Sequence, residues 1–209
     1  MRIAVDVDGV LSALHEEWYR RYNRDYDDDL TNERVLSWDT HEYVKPECGK
    51  RIYDYLYDAD LYEHIEPVAG SLEGVNALRN DGHRVFFVTA NVRGMTDQKW
   101  DWLVRHGFMD SKNRAPIDMV VAFDKLLIDA DLIIDDKAQT CVDWVEQKRR
   151  KAILFEYPHN RHLLDEKPSA FWMWCLRADN WPGVVKHVRM LSAPALHLLN
   201  VPKERPVDA

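Results

Sequence analysis

The sequence predicts an α/β fold with a central parallel sheet covered on both faces, and three observations carry that expectation. From about residue 84 onward, short continuous apolar runs alternate with stretches of helical periodicity. Several of the apolar runs close on an acid or a threonine. The first run is separated from the second by far more chain than a single crossover needs, which marks an insertion.

The first run is Ile3, Ala4 and Val5, followed by Asp6, Asp8 and Gly9. Asp-Gly is a turn signal, so a β-hairpin is the competing reading. A hairpin requires an alternating strand after Gly9. Instead Leu14, Trp18 and Tyr22 recur every four residues, which is helical spacing. Strand, loop, helix is therefore expected. Further strands are expected over 84–89, 118–123, 132–136 and 151–155. Helices are expected over 96–106 (Trp100, Leu103 and Val104 inward, Gly107 as stop), 138–148 (Cys141, Val142 and Val145 inward) and 181–191.

Asp6 and Thr89 lie 83 positions apart, whereas a βαβ unit takes about 30 residues. The excess, residues 12–66, holds eight of the nine tyrosines together with Trp18 and Trp38, and none of the six phenylalanines. Rings with polar tips suit a partly wet binding surface. The stretch is expected to be a small helical cap over the strand ends. The acids Asp25, Asp27, Asp28 and Asp29 are expected in a solvated loop, and Arg20, Arg21 and Arg24 on a solvated helix face. The catalytic core is then 1–11 plus 67–192, with 193–209 as a tail.

The chain has 209 residues, 46% of them hydrophobic, enough for one core with an insertion. Its net charge of -8 makes it a poor generic binder of nucleic acid. Cys48, Cys141 and Cys175 are odd in number and widely spaced, which fits a reducing compartment rather than a disulfide frame or a zinc site. The opening strand leaves no room for a signal peptide and no run reaches membrane-span length, so a cytoplasmic location is expected. There is no GxGxxG, no Walker A and no HExxH, and His159 and His162 are expected at the surface.

Ligands bind beyond the carboxyl ends of parallel strands. Asp6, Asp8, Thr89, Asp135 and Asp136 all fall there, and Lys125 follows the third strand by two residues. Two carboxylates beside a buried strand suit a nucleophile and a proton-transfer group, made compatible by a cation. Like charges at about 4 Å repel by roughly 4 kcal/mol at an effective dielectric near 20. All-oxygen ligands favour Mg²⁺.

DVDGV at 6–10, the threonine after VFFV, Lys125 and LIIDD at 132–136 resemble the four motifs of the haloacid dehalogenase superfamily of phosphatases. SWDTHEYVKPECGKRIYDYL (37–56), EPVAGSLEGVNALRNDGHRVFFVTA (66–90), KWDWL (99–103) and EYPHNR (156–161) resemble its 5′(3′)-deoxyribonucleotidases. The resemblance implies a three-layer Rossmann-like core with a cap after the first strand, and a Mg²⁺-dependent nucleotidase. It implies that Asp6 attacks phosphorus and Asp8 serves as acid, then base. Thr89 and the Ala90 N–H would hold phosphate oxygens, while Lys125 neutralises charge. Asp6, Asp8 through its carbonyl, and Asp135 or Asp136 would hold the metal. Trp18, Trp38 and Tyr43 are expected over the nucleoside, selecting deoxyribose. The expected partner is a nucleoside monophosphate, with no membrane and no stable nucleic acid. Nothing fixes the oligomeric state, a homodimer being one option. A polynucleotide 3′-phosphatase and a non-catalytic nucleotide-binding module are the alternatives.

Overall fold

The computed structural model describes residues 1–90, 94–110 and 118–193. Six strands form one all-parallel sheet: β1 (Arg2–Asp6), β2 (Arg84–Thr89), β3 (Met119–Val121), β4 (Leu132–Asp135), β5 (Lys151–Phe155) and β6 (Cys175–Ala178). Their spatial order is β3-β2-β1-β4-β5-β6, so β1 lies at the centre and its neighbours are β2 and β4. The central strands are apolar on both faces. Ile3 and Val5 join Val85, Phe87, Leu132, Ile134 and Ile153 in one core. Ala4, Phe86, Val88, Ile133, Ala152 and Leu154 point the other way into a second. The alternation follows from the two-residue period of a strand.

The first core is covered by α3 (Ser71–Asn80), α4 (Thr96–Arg105) and α7 (Trp181–Ser192), the second by α5 (Ala138–Lys148) and by Leu163 of the short α6 (Leu163–Glu166). Trp181 is fully buried, its indole N–H donates to the Val10 carbonyl, and a side chain at Gly74 would collide with its ring. Two expectations are corrected. Strand β6 and helix α3 add to the predicted elements, and β3 is shorter than 118–123. In α4 the buried face is Lys99, Trp102 and Leu103, with Trp100 left exposed, because Lys99 is drawn inward to meet Asp8 just beyond the end of β1.

After β1 the chain turns tightly. The Leu11 and Ser12 amides both donate to the Val7 carbonyl, and no strand follows Gly9. The backbone then enters the inserted stretch through paired chain: the Ala13 amide donates to Glu66, and the Val68 amide to Leu11. Between these joints lie α1 (Leu14–Tyr26), 3₁₀ turns over Asn32–Arg34, Thr40–Glu42 and Gly49–Tyr57, and the short α2 (Leu61–His64). The stretch has its own apolar cluster of Trp18, Tyr19, Tyr22, Leu30, Val35, Cys48 and Ile52. Arg21 departs from the expected solvated face. It is buried and binds Glu17, Asp58 and Asp60 at 2.8, 2.9 and 2.7 Å. Among the described residues, no helix is long and apolar enough to cross a membrane.

Candidate active site

β1 and β4 run in register, Val5 beside Ile134, so one step further on Asp6 stands level with Asp135. Parallel pairing thus brings two acids together at the carboxyl end of the sheet, and Asp136 follows immediately. Asp6, Asp135 and Asp136 are all buried, with one oxygen from each within 4.8 Å of the others. Gly9 stands against this cluster with φ of +75°, and a Cβ there would collide with the Asp136 carboxylate. Only glycine satisfies both the left-handed backbone and the close approach.

Lys125 is buried between two of these acids, its Nζ 2.9 Å from Asp6 Oδ1 and 2.7 Å from Asp135 Oδ2. Burial alone would lower its pKa, but Asp135 and Asp6 outweigh that and raise it. Asp135 is fully engaged, since its Oδ1 accepts from the Lys137 amide at 2.9 Å. Asp6 Oδ1 also accepts from the Val7 amide at 2.8 Å, and no hydrogen bond from a described residue reaches Asp6 Oδ2. Burial carries the Asp6 carboxyl up to about 7, with Lys125 opposing and Asp135 and Asp8 adding to it. Asp136 is pushed well above the carboxylate range by burial and by the Asp6 and Asp135 charges, and its Oδ2 is buried without a partner.

Asp8 points elsewhere and is fully satisfied. Lys99 Nζ donates to its Oδ2 at 2.6 Å, and the Ser12 and Tyr62 hydroxyls donate to its Oδ1. Burial pushes this carboxyl up, but the Lys99 ammonium and the two hydroxyls outweigh burial and hold it below the ordinary range. The same Lys99 donates to Thr89 Oγ1 at 2.8 Å and to the Ala90 carbonyl at 3.0 Å, tying the end of β2 to the end of β1. No role was read for Lys99 in the sequence, although it opens the KWDWL segment. Asn160, inside EYPHNR, was likewise missed. Its amide donates to the Asp136 and Phe155 carbonyls, both at 2.8 Å, and fixes the backbone behind Asp136.

These groups open onto a cavity of about 330 Å³ between the sheet ends and the inserted stretch. Asp6, Asp8, Thr89, Ala90, Lys125 and Asp136 line its floor, and Trp18, Tyr19, Trp38, Tyr53 and Phe123 its walls. Trp18 and Trp38 both line the cavity, although Trp18 is also cluster core and donates to the Ile52 carbonyl at 2.7 Å. Tyr43 does not line it. Tyr43 packs against the inserted stretch's own apolar cluster, because the chain beyond the Thr40–Glu42 turn folds back onto α1 rather than toward the sheet. His159 is also corrected: it is buried, lines the cavity and sits 3.7 Å from Asp136 Oδ2, whereas His162 is exposed as expected. Burial depresses His15 to about 4 and His159 to about 3, so both rings are neutral at pH 7.

Nine buried side-chain nitrogen or oxygen atoms among the described residues lack a partner. Four of them, His15 Nδ1, Ser37 Oγ, Asp136 Oδ2 and His159 Nε2, belong to residues lining this one cavity. An unpaired buried polar atom costs about 1–3 kcal/mol. Their concentration in one place marks a surface shaped for a ligand.

Residues 1–193 match the family model described as 5′ nucleotidase, deoxy (Pyrimidine), cytosolic type C protein, NT5C. The chain belongs to the NT5C family. A 5′(3′)-deoxyribonucleotidase of Clostridium acetobutylicum is 30% identical to this NT5C member over 163 residues, covering 76% of this chain and 83% of the relative. The human cytosolic-type 5′(3′)-deoxyribonucleotidase is 25% identical over 90% of this chain and 95% of its own. Among solved structures, a haloacid dehalogenase-like hydrolase of Xanthomonas campestris superposes with a TM-score of 0.58 at 18% identity, covering 92% of this chain and 96% of that one. A hydrolase of the same superfamily from Deinococcus radiodurans gives 0.56 at 13% identity, over 90% and 95% of the two chains. The sheet and its helices are therefore the haloacid dehalogenase fold, and this NT5C member is a phosphoric monoester hydrolase of the nucleotidase type.

Proposed function

We propose that the chain is a Mg²⁺-dependent 5′(3′)-deoxyribonucleotidase that hydrolyses nucleoside monophosphates through an aspartyl-phosphate on Asp6. The observation that carries this reading is the division of labour among the strand-end acids. Asp135 spends both oxygens on Lys125 and the Lys137 amide. Asp6 Oδ2 and Asp136 Oδ2 stay uncommitted, and Asp8 is held apart by Lys99. Three carboxylates share one buried lysine, an excess of negative charge that favours a cation. The donors are all oxygen, which suits Mg²⁺. Asp6, Asp136 and the Asp8 carbonyl would hold the ion, with Asp135 orienting Lys125 instead. Bound there, the metal supplies charge neutralisation for the phosphoryl group.

Asp6 Oδ2 attacks phosphorus and the bond to the nucleoside oxygen breaks. Lys99 and the two hydroxyls favour the ionised form of Asp8, so the step runs through its protonated fraction. Protonated Asp8 delivers its proton to that oxygen, then regains one from the water that cleaves the aspartyl-phosphate, returning Asp6 and releasing phosphate. Thr89, the Ala90 N–H and Lys125 hold the phosphoryl oxygens, since positioning and charge stabilisation dominate such transfers. Residues 12–66 act as the cap. Trp18 and Trp38 pack beside the sugar and disfavour a ribose, whose 2′-hydroxyl would go unpaired at about 1–3 kcal/mol. A phosphate-release screen over deoxyribo- and ribonucleoside monophosphates and a 3′-phosphorylated oligonucleotide, in Mg²⁺ and in EDTA, tests the reading. Release from deoxyribonucleotides in Mg²⁺ alone is expected; preference for the oligonucleotide overturns it.

A further inference from the structure

Phe123 is 89% exposed, and it lines the same cavity as Asp6 and Lys125. Single exposed apolar residues are ordinary on protein surfaces. Leu127, at 80%, is such a residue and lines none of the cavities described here. Phe123 differs in being held in place. On one side the Ala122 amide donates to the Thr89 carbonyl at 3.0 Å. On the other, Asp124 Oδ1 accepts from the Leu126 amide at 2.9 Å and starts the 3₁₀ turn that carries Lys125. The backbone that aims Lys125 at Asp6 therefore also sets where Phe123 leaves the chain, at the rim of the cavity that its side chain lines. Trp38, 49% exposed, is a second ring on the cavity wall, contributed by the cap.

We propose that Phe123 is a specificity-determining residue of the core whose ring stacks on the nucleobase of the bound nucleotide. This deepens the nucleotidase reading and rests on it. The occupant is an aromatic base because the cavity, at about 330 Å³, is of small-molecule size and its floor is the phosphate end. A flat apolar ring standing in water at the rim gains most from a flat apolar ligand. Stacking on an aromatic side chain contributes about 1–3 kcal/mol per base and is tolerant of base identity. Phe123 therefore selects nucleotides from other phosphate esters but does not select among bases.

The test compares kcat/KM for a purine and a pyrimidine deoxyribonucleoside monophosphate with that for 2-deoxyribose 5-phosphate, which keeps the sugar and phosphate but lacks the base. Phe123→Ala is expected to cut the preference for both nucleotides about tenfold, through KM with kcat held. Phe123→Trp should restore the preference and Phe123→Leu should not. The ring is almost wholly in water, so these variants fold as the parent does. An unchanged ratio in Phe123→Ala, or full preference in Phe123→Leu, overturns the stacking role and leaves the nucleotidase reading standing. A parent enzyme with no preference for nucleotides over 2-deoxyribose 5-phosphate overturns both.

Discussion

Two charged clusters, one in the inserted stretch around Arg21 and one at the strand ends around Lys125, are balanced differently. In the cap, Arg21 is wrapped by Glu17, Asp58 and Asp60, with Arg20 also on Glu17, and Asp58 and Asp60 still reach water. Every charge there has a partner or solvent. At the strand ends, Lys125 is ion-paired to Asp6 and Asp135, Asp136 has no ion pair to it, and none of the three acids reaches water to a comparable degree. The first arrangement holds a fold together. The second concentrates negative charge in a buried place, a charge that protonation or a bound cation would relieve.

The sharpest way to break this contrast is Asp6→Asn. An amide is nearly isosteric but is no nucleophile, so turnover should fall by more than about a thousandfold while the circular dichroism spectrum is retained. Retention of several per cent of the activity would remove Asp6 from the nucleophile role. Next in size is Lys99→Met. It strips Asp8 of its counter-charge, and proton transfer is worth about 10²- to 10⁴-fold. A loss of about a hundredfold in kcat is expected, with the alkaline limb of the kcat/KM profile, which reports Asp8 as the acid, moved to higher pH. An unmoved profile would mean that Lys99 does not set the Asp8 titration.

Arg21→Met probes the cap cluster and should act on stability rather than chemistry. Removing a buried partner costs about 3–5 kcal/mol, but Asp58 and Asp60 reach water and Arg20 remains on Glu17. A loss of about 2–4 kcal/mol in urea unfolding is expected. A loss below about 0.5 kcal/mol would make the network ornamental.

The core should respond to metal where the cap does not. At about a hundredfold excess over its dissociation constant, an ion that binds only the folded chain adds about 2.7 kcal/mol. Mg²⁺ should therefore raise the unfolding midpoint of the parent, and Asp136→Asn should abolish the rise. An equal rise in that variant would place the ion elsewhere.

The last comparison concerns pH. His15 is held by burial at about 4, below the ordinary 6.5, so the unfolded chain binds its proton first as pH falls. Stability is therefore unaffected by this ring above about pH 6.5 and declines from there toward about pH 4. In EDTA, His15→Gln should flatten that part of the slope of the urea midpoint against pH. A slope equal to that of the parent would show that the ring is not buried in solution.

The strand-end acids, Thr89 and Lys125 were legible because their placement depends on strand order and local run length, both written in short contiguous segments. Lys99, Asn160 and His159 were not. Each lies on a helix or loop whose facing depends on packing against a distant element, so Trp100 was read as inward where Lys99 is buried instead. Arg21 failed for the same reason, since two of its three partners, Asp58 and Asp60, are almost forty residues away. Tyr43 and Trp38 have similar composition around them, and only the path of the 3₁₀ turns sends one into the cluster and the other to the cavity.

The paired backbone at Leu11–Val68 and Ala13–Glu66 has a consequence for how such a chain can change over time. The two ends of the cap leave the sheet side by side, so the core does not register how much chain lies between them. Loop-closure entropy rises only slowly with length, by about 0.6 kcal/mol per doubling. A longer, shorter or unrelated segment could be exchanged at this joint without altering the spacing of β1 and β2. On the reading proposed above, the chemistry at the strand ends and the choice of leaving group would then be inherited separately, one in the sheet and one in whatever hangs from the joint.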